Sequence, residues 1–268
     1  MRAKKSLGQN FLVDENIIAR IVRDFAPRAD ETIIEIGAGR GALTSRLVDS
    51  VGRLVAIEFD RDLAPLLKEK FAERKNFTLI ESDALATDFC AIIAPAQNAR
   101  VIANLPYNIS TAILSRLIEH RMCISEMLLM LQREVVERIT ARAGESERGF
   151  LSVFVEAYCE TEKLFDVGPH AFRPVPEVWS TIVHLRMRPK IAADVEDETI
   201  LWKLVSAGFA QRRKTLFNNL RSAPEDLRQP IERAGGALGI IEASGIAPQR
   251  RAETLALEEW ARLSRAIV

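Results

Sequence analysis

Only three of the 268 residues are cysteine and three are histidine, and 37 basic side chains cancel 37 acidic ones. Cys90, Cys123 and Cys159 are odd in number and far apart. Such a set predicts neither a disulfide framework nor a zinc site and suits a reducing, cytoplasmic setting. His120, His170 and His184 share no spacing with an acid or a cysteine, so no metal is expected. The zero balance speaks against a dedicated nucleic-acid binder, usually basic overall, unless positive charge is gathered on one face. No apolar run is long enough to span a membrane. The basic start, Met1 to Lys5, runs into polar Ser6, Gly8, Gln9 and Asn10, so no signal peptide is expected. There is no internal repeat and no low-complexity tract.

What is present is an alternation of short apolar runs and amphipathic segments. Asp14 reads as a helix cap, with Ile17, Ile18, Ile21, Val22 and Phe25 at helical spacing and Pro27 closing the helix. Strands are predicted at 32–36, 53–57, 77–80, 100–103 and 127–131, with helical patterns between them and Ser110 capping one. Strands alternating with helices imply an α/β fold with parallel pairing and right-handed crossovers. Two further strands are expected at 161–167 and 181–187, around a proline-rich turn at Phe172-Arg173-Pro174-Val175-Pro176. Past Pro189 the patterns are helical. The expected boundary lies near residue 190, between a domain over 1–190 and a helical one over 191–268.

The expected strand ends carry the chemistry. Gly37, Gly39 and Gly41 make a turn between strand and helix that lets a ligand approach the backbone. Glu58, at the end of the second strand, can accept from both hydroxyls of a ribose, which suits NAD and S-adenosylmethionine alike. Asp83, at the end of the third, can accept from an adenine N6 amine. One edge with a glycine loop and two acids suits an adenosine without a pyrophosphate. The helix after the loop has no Lys-Ser/Thr pair, which excludes a phosphate-binding P-loop.

The fourth strand ends in Asn104-Leu105-Pro106-Tyr107. The N6 nitrogen of adenine is a poor nucleophile, because its lone pair is delocalised into the ring. The Asn104 side-chain oxygen and the Leu105 carbonyl can accept from the two amine hydrogens and favour a pyramidal nitrogen with its lone pair directed outward. Pro106 stiffens the turn that aims the carbonyl. Tyr107 offers a flat face to a base taken out of its stack, and Phe172, beside its prolines, is a second candidate face.

Together these residues resemble the ribosomal RNA adenine N6-dimethyltransferase family. The resemblance runs through Lys4-Lys5-Ser6-Leu7-Gly8-Gln9-Asn10-Phe11-Leu12, Glu35 to Thr44, Glu58, Ser82-Asp83-Ala84-Leu85 and Asn104 to Ser110. It continues through Ala171 to Ser180, Phe209 to Leu216 and Arg251 to Leu255. The usual Phe-Phe-Pro-Pro-Pro-Lys-Val-Asp-Ser pattern reads here Phe172-Arg173-Pro174-Val175-Pro176-Glu177-Val178-Trp179-Ser180, departing at Arg173, Val175, Glu177 and Trp179. The resemblance implies a Rossmann-like methyltransferase domain with a mixed, mostly parallel sheet and a small all-helical C-terminal domain. It implies S-adenosyl-L-methionine as cofactor, held by Gln9, Asn10, Leu12, Gly37, Gly39, Glu58, Asp83, Ala84 and Asn104. It also implies dimethylation of two adjacent adenines near the 3′ end of 16S ribosomal RNA, in the small subunit or its precursor, during ribosome assembly.

An RNA substrate must be reconciled with the neutral total. Basic residues cluster at Arg2, Lys4 and Lys5, at Arg212, Arg213 and Lys214 with Arg221, and at Arg250 and Arg251. On a shared face they would follow phosphates. Nothing in the chain suggests an obligate interface, so a monomer is expected. Three rivals remain: a large-subunit RNA methyltransferase of the antibiotic-resistance type, a non-catalytic assembly or transcription factor on the same fold, and an NAD oxidoreductase. The Lys-Ser-Leu-Gly lead-in and Gln211-Arg212-Arg213-Lys214-Thr215-Leu216 favour the small-subunit enzyme over the first. The complete set Glu58, Asp83, Asn104 and Tyr107 speaks against the second. The third leaves Asn-Leu-Pro-Tyr without a purpose.

Overall fold

Asp14 accepts from the amides of Asn16 and Ile17, and the helix Glu15–Phe25 follows, burying Ile18, Ile21 and Phe25. This computed structural model describes residue 4 and residues 8–267; Arg2, Lys5 and the Ser6-Leu7 pair of the N-terminal motif lie outside the described residues. Nine strands are described: β1 (Phe11–Leu12), β2 (Thr32–Ile36), β3 (Arg53–Glu58), β4 (Phe77–Glu81), β5 (Ala99–Asn104), β6 (Ile124–Gln132), β7 (Cys159–Val167), β8 (Phe172–Arg173) and β9 (Ser180–Met187). Seven form one sheet in the order β4-β3-β2-β5-β6-β9-β7, and β1 pairs with β8 apart from it. The pairs from β4 to β6 are parallel, while β9 runs antiparallel to β6. The fold class is therefore α/β with a mixed, mostly parallel sheet.

Register places the chemistry. Ile36 pairs with Ile57 and with Ala103, and Glu58 pairs with Glu81. The glycine loop, Glu58, Ser82-Asp83 and Asn104 thus leave the sheet along one carboxyl edge, next to the point where the order reverses between β2 and β5. Open α/β sheets bind ligands at such a switch point. The sheet centre is apolar, with Ile33, Ile34, Leu54, Val55, Val101 and Ile102 without exposed surface, as expected for strands covered on both faces.

Residue contacts divide the chain into two units, Met1–Val136 with Glu160–Pro189, and Glu137–Cys159 with Lys190–Val268. The segment 137–159, which a single cut at 190 assigns to the first domain, groups with the C-terminal segment instead. Within this second unit, Gly144 donates to the Glu253 carbonyl over 2.8 Å and Ala192 to the Ala157 carbonyl over 2.9 Å. Its core centres on fully buried Trp260, which packs so close to Gly208 that a Cβ there would lie 2.4 Å from the indole.

Three local expectations change. Ser110 is not a cap: the helix Ser110–Glu119 starts on it, and its hydroxyl turns back to the Tyr107 carbonyl, 3.2 Å away. A short helix at Phe89–Ile93, capped by Asp88, escaped the periodicity. The scattered cysteines contain a pair: Cys90 and Cys123, 33 residues apart, are joined with their Cα atoms 5.5 Å apart. Sequence spacing hides it because the pairing is tertiary, with Cys123 brought beside the start of β5 by the bond from Ala99 to its carbonyl. Cys159 is buried and lies outside this disulfide. Among the described residues no helix is long and apolar enough to cross a membrane.

Candidate active site

A cavity of about 270 Å³ opens along the carboxyl edge. Its wall includes Gln9, Asn10, Gly37, Gly39, Glu58, Asp83, Ala84, Asn104, Leu105, Pro106 and Tyr107, the residues expected there. The structure brings together four separate strand ends and the segment 8–11. Two expected residues are not in this wall. Leu12 is 6% exposed and belongs to the core. Phe172 has no exposed surface and packs in the same core, so it offers no face to a base. The reason is the pairing of β8 with β1, Leu12 opposite Phe172, which turns both inward and leaves Arg173 outside.

The glycine loop is shaped for close approach. Gly37, Gly39 and Gly41 all have positive φ, at 72°, 59° and 76°. At Gly39 a Cβ would also press on the Phe11 ring at 3.2 Å. Glu58 holds this loop: one carboxylate oxygen accepts from the Gly39 amide and the other from the Asp60 amide, both over 2.8 Å. Burial pushes the Glu58 carboxyl up, and the amides of Asp60, Gly39 and Phe59 partly offset it. A carboxylate has about four lone-pair sites, so acceptor capacity remains for a ligand hydroxyl.

Asn104 is oriented from behind. Its Nδ2 donates to the Asn10 carbonyl over 3.0 Å, which fixes the amide plane and leaves Oδ1 as a directed acceptor. Gly37 lies so near that a Cβ there would be 3.7 Å from the Asn104 carbonyl. Leu105 is 1% exposed, and among the described residues nothing donates to its carbonyl. The Tyr107 hydroxyl is pinned 2.7 Å from the buried Ser180 hydroxyl, which holds the ring at its tip. Burial raises the Tyr107 pKa, partly offset by Ser180, so the phenol stays neutral.

Sequence reasoning missed three participants. Phe59 lines the cavity with 58% of its surface exposed, an aromatic face beside Glu58. Asp60 is 3% exposed and accepts from Gln9 over 2.7 Å, while Lys4 sits 2.5 Å from it and 2.6 Å from Asp62. Asp60 thus ties residues 4 and 9 to the cavity. Ser180 acts through Tyr107. An acid two residues beyond Glu58 was the visible signal for Asp60; nothing local marked Ser180.

Glu35 lies beneath the loop, 2% exposed, with the Thr44 hydroxyl donating to it over 2.7 Å. Burial pushes its carboxyl up to about 7. Between the ordinary glutamate range and that value the folded chain binds a proton that the unfolded chain has lost. Stability is therefore full below about pH 4.5 and falls as pH rises to about 7, by about 3 kcal/mol from this group. E35Q is expected to flatten this slope, read from urea unfolding at stepped pH. An equal slope in wild type and E35Q would show that Glu35 does not cause it.

The expected RNA residues fare differently. Lys4 is ion-paired as above. Arg250 binds Glu259 through both terminal nitrogens, at 2.5 and 3.0 Å, and also contacts Thr254, so its guanidinium is spent within the fold. Arg212 donates to the Ser146 carbonyl, and Arg221 lies 5.4 Å over the Phe217 ring. Arg212, Arg213, Lys214, Arg221 and Arg251 are all exposed. The Leu216 amide donates to the Arg250 carbonyl over 2.7 Å, which lays 250–251 beside 214–216.

The family model described as ribosomal RNA adenine dimethylase matches residues 1–263. The ribosomal RNA small subunit methyltransferase A of Hahella chejuensis is 43% identical over 263 residues, 98% of this chain and 92% of that protein. Its counterpart in Chromohalobacter salexigens is 45% identical over 267 residues, 98% of this chain and 90% of that one. In fold, a dimethyladenosine transferase from Plasmodium falciparum is similar with a TM-score of 0.79 and 24% identity, covering 94% of this chain and 95% of that chain. The 23S rRNA methyltransferase ErmE is similar with a TM-score of 0.69 and 26% identity, covering 96% and 99%.

Proposed function

This chain belongs to the ribosomal RNA adenine dimethylase family, and from that premise we propose that its cavity joins S-adenosylmethionine to an extruded adenine of small-subunit ribosomal RNA. It is a methyltransferase that uses S-adenosylmethionine and forms N6,N6-dimethyladenine in 16S RNA. Two adjacent adenines near the 3′ end, modified as the subunit assembles, are the substrate we infer. Identity of 43–45% over nearly the whole chain to small-subunit enzymes, against 26% to the 23S enzyme, favours this over the large-subunit reading. We place its work in the cytoplasm, as a monomer; the Cys90–Cys123 pair would there be held as thiols.

The residues present fit the cofactor. The positive-φ loop gives backbone access, Glu58 has lone pairs to spare for a ribose, and Asp83 stands at the end of the neighbouring strand. Gln9, Asn10, Gly37, Gly39, Glu58, Asp83 and Ala84 would hold it, with Phe59 against its base. When bound, it supplies an electrophilic methyl group on sulfur.

The rest is positioning by the chain. Asn104 Oδ1 and the Leu105 carbonyl accept from the N6 hydrogens and direct the nitrogen lone pair outward. Tyr107, held by Ser180, covers one face of the base. No strong general base is needed next to so good an electrophile, and rate comes mainly from orientation. The single observation that carries this is Asn104, locked by Asn10, standing beside Gly37 at the reversal of the sheet.

Exposed Arg212, Arg213, Lys214, Arg221 and Arg251 are the phosphate contacts we infer, and Arg250 supports them from within. With few such contacts and zero net charge, the shape of the partly assembled subunit carries the specificity.

Labelled-methyl transfer to small subunits lacking the modification, with mapping of the labelled nucleotides, tests the reading. Label on two adjacent adenines near the 3′ end is expected; label confined to large subunits would overturn it. E58A is expected to weaken cofactor binding about 10- to 100-fold, since hydrogen bonds to a charged group contribute about 1.5–3 kcal/mol each. Calorimetric titration checks this, and an unchanged affinity would reduce Glu58 to a clamp on the loop.

A further inference from the structure

The proline-rich turn exposes an aromatic side chain other than Phe172. Val175, Val178 and Trp179 stand 47%, 42% and 47% exposed. Surface hydrophobics are ordinary when scattered, but three on one short turn, one of them an indole, make a patch of the kind that binds. Trp179 is also well anchored. Its carbonyl accepts from the Arg133 amide over 2.9 Å, and the next residue, Ser180, is paired with Gln132 and completely buried. The Ser180 hydroxyl is the atom that holds Tyr107. An exposed indole is thus fixed one residue along the chain from the contact that sets the base-covering ring.

We propose that Trp179 is a stacking platform for a nucleotide flanking the target adenine, and so a determinant of RNA affinity and specificity. The inference rests on the methyl-transfer reading above. Taking one base out of a strand uncovers the faces of its neighbours, and single-stranded RNA is characteristically held by aromatic side chains on such faces. The Arg133 guanidinium lies over the Trp179 ring, 6.0 Å from its centroid, and so backs the platform with a cation. Charge alone does not hold the strand here. Exposed Arg133 and Arg173 are matched by exposed Glu134 and Glu177, so this ground is no phosphate track. Stacking carries the contact, and its contribution should not fade with salt as phosphate contacts do.

The test is steady-state methyl transfer to unmodified small subunits at saturating S-adenosylmethionine, for wild type, W179A, W179L and W179F, at low and moderate salt. For W179A and W179L the KM for subunits is expected to rise about tenfold or more, and for W179F by less than about threefold. The turnover number and the cofactor affinity should stay within about twofold, and the KM ratio to wild type should be the same at both salts. W179L keeps an apolar surface without a π face, so it reports on stacking even where W179A folds poorly. A W179L enzyme with wild-type KM overturns the platform, as does a KM ratio that collapses with salt. Absence of transfer by the wild-type enzyme overturns the methyl-transfer reading and this inference with it, before any variant is compared.

Discussion

Replacing Asn104 with alanine is expected to lower the turnover number for methyl transfer by about 10²–10³, in the range found when one preorganised hydrogen-bonding group is removed from a reacting centre. The side chain has two jobs. Its Nδ2 holds the Asn10 carbonyl, and its Oδ1 is left as an acceptor at the edge of the cavity. Alanine removes both. Loss of the acceptor lets the N6 amine relax toward the ring plane, where its lone pair is delocalised and points away from the methyl group. Loss of the donor frees residue 10, so cofactor affinity should also fall, by less than about tenfold, one neutral hydrogen bond contributing about 1 kcal/mol. Asn104 is only half-buried at the end of β5, and unfolding free energy should change by no more than about 1 kcal/mol. The ordering of the three effects identifies the role: turnover falls most, cofactor binding less, stability least. An N104A enzyme with wild-type turnover and weakened cofactor binding would make residue 104 a cofactor ligand alone.

The parts of this site that were legible in the sequence are those written locally. A buried strand advertises itself as an apolar run, and whatever follows it stands at the sheet edge, so Glu58, Asp83 and Asn104 were placed by their distance from β3, β4 and β5. Parallel order then collects such residues on one edge without further information. What could not be read depends on contacts between distant segments. Phe172 looked like a platform because prolines flank it, but a two-residue pairing with β1 turned it inward. The grouping of 137–159 with residues past 190 leaves no composition change at either end. Arg250 belonged to a basic pair in the sequence, and only the fold supplies Glu259 opposite it. Side-chain pairings of this kind carry no periodic signal, because neither partner's neighbours know of the other.

The largest effect on stability is expected at the other end of the strand that carries Asn104. Arg100 is 8% exposed at the start of β5; its two terminal nitrogens donate to four oxygens, and its Nε lies against a fifth without a hydrogen bond to it. It donates to the Phe25 carbonyl over 2.5 Å and the Ala26 carbonyl over 3.2 Å, binds both oxygens of Glu31 at 2.9 and 3.1 Å, and pairs with Glu126. Its charge also lies 4.1 Å over the Phe25 ring. Substitution by leucine takes a partner from two carboxylates and two carbonyls at once. Breaking a buried pair by removing one partner costs about 3–5 kcal/mol, because the charge left behind is uncompensated. Arg28 still reaches Glu31 over 2.6 Å and His184 still reaches Glu126 over 2.9 Å, which keeps the loss within that range. R100K should lose less than R100L yet stay below wild type, since an ammonium keeps the charge but cannot present the planar fork to both acids and both carbonyls. Urea unfolding measures the series, and turnover per folded molecule should be unaltered in both variants. Four steps along extended strand, about 13 Å, separate Arg100 from Asn104. An R100L protein as stable as wild type would mean that the ion pairs merely offset their own desolvation, leaving β5 held by its apolar residues alone.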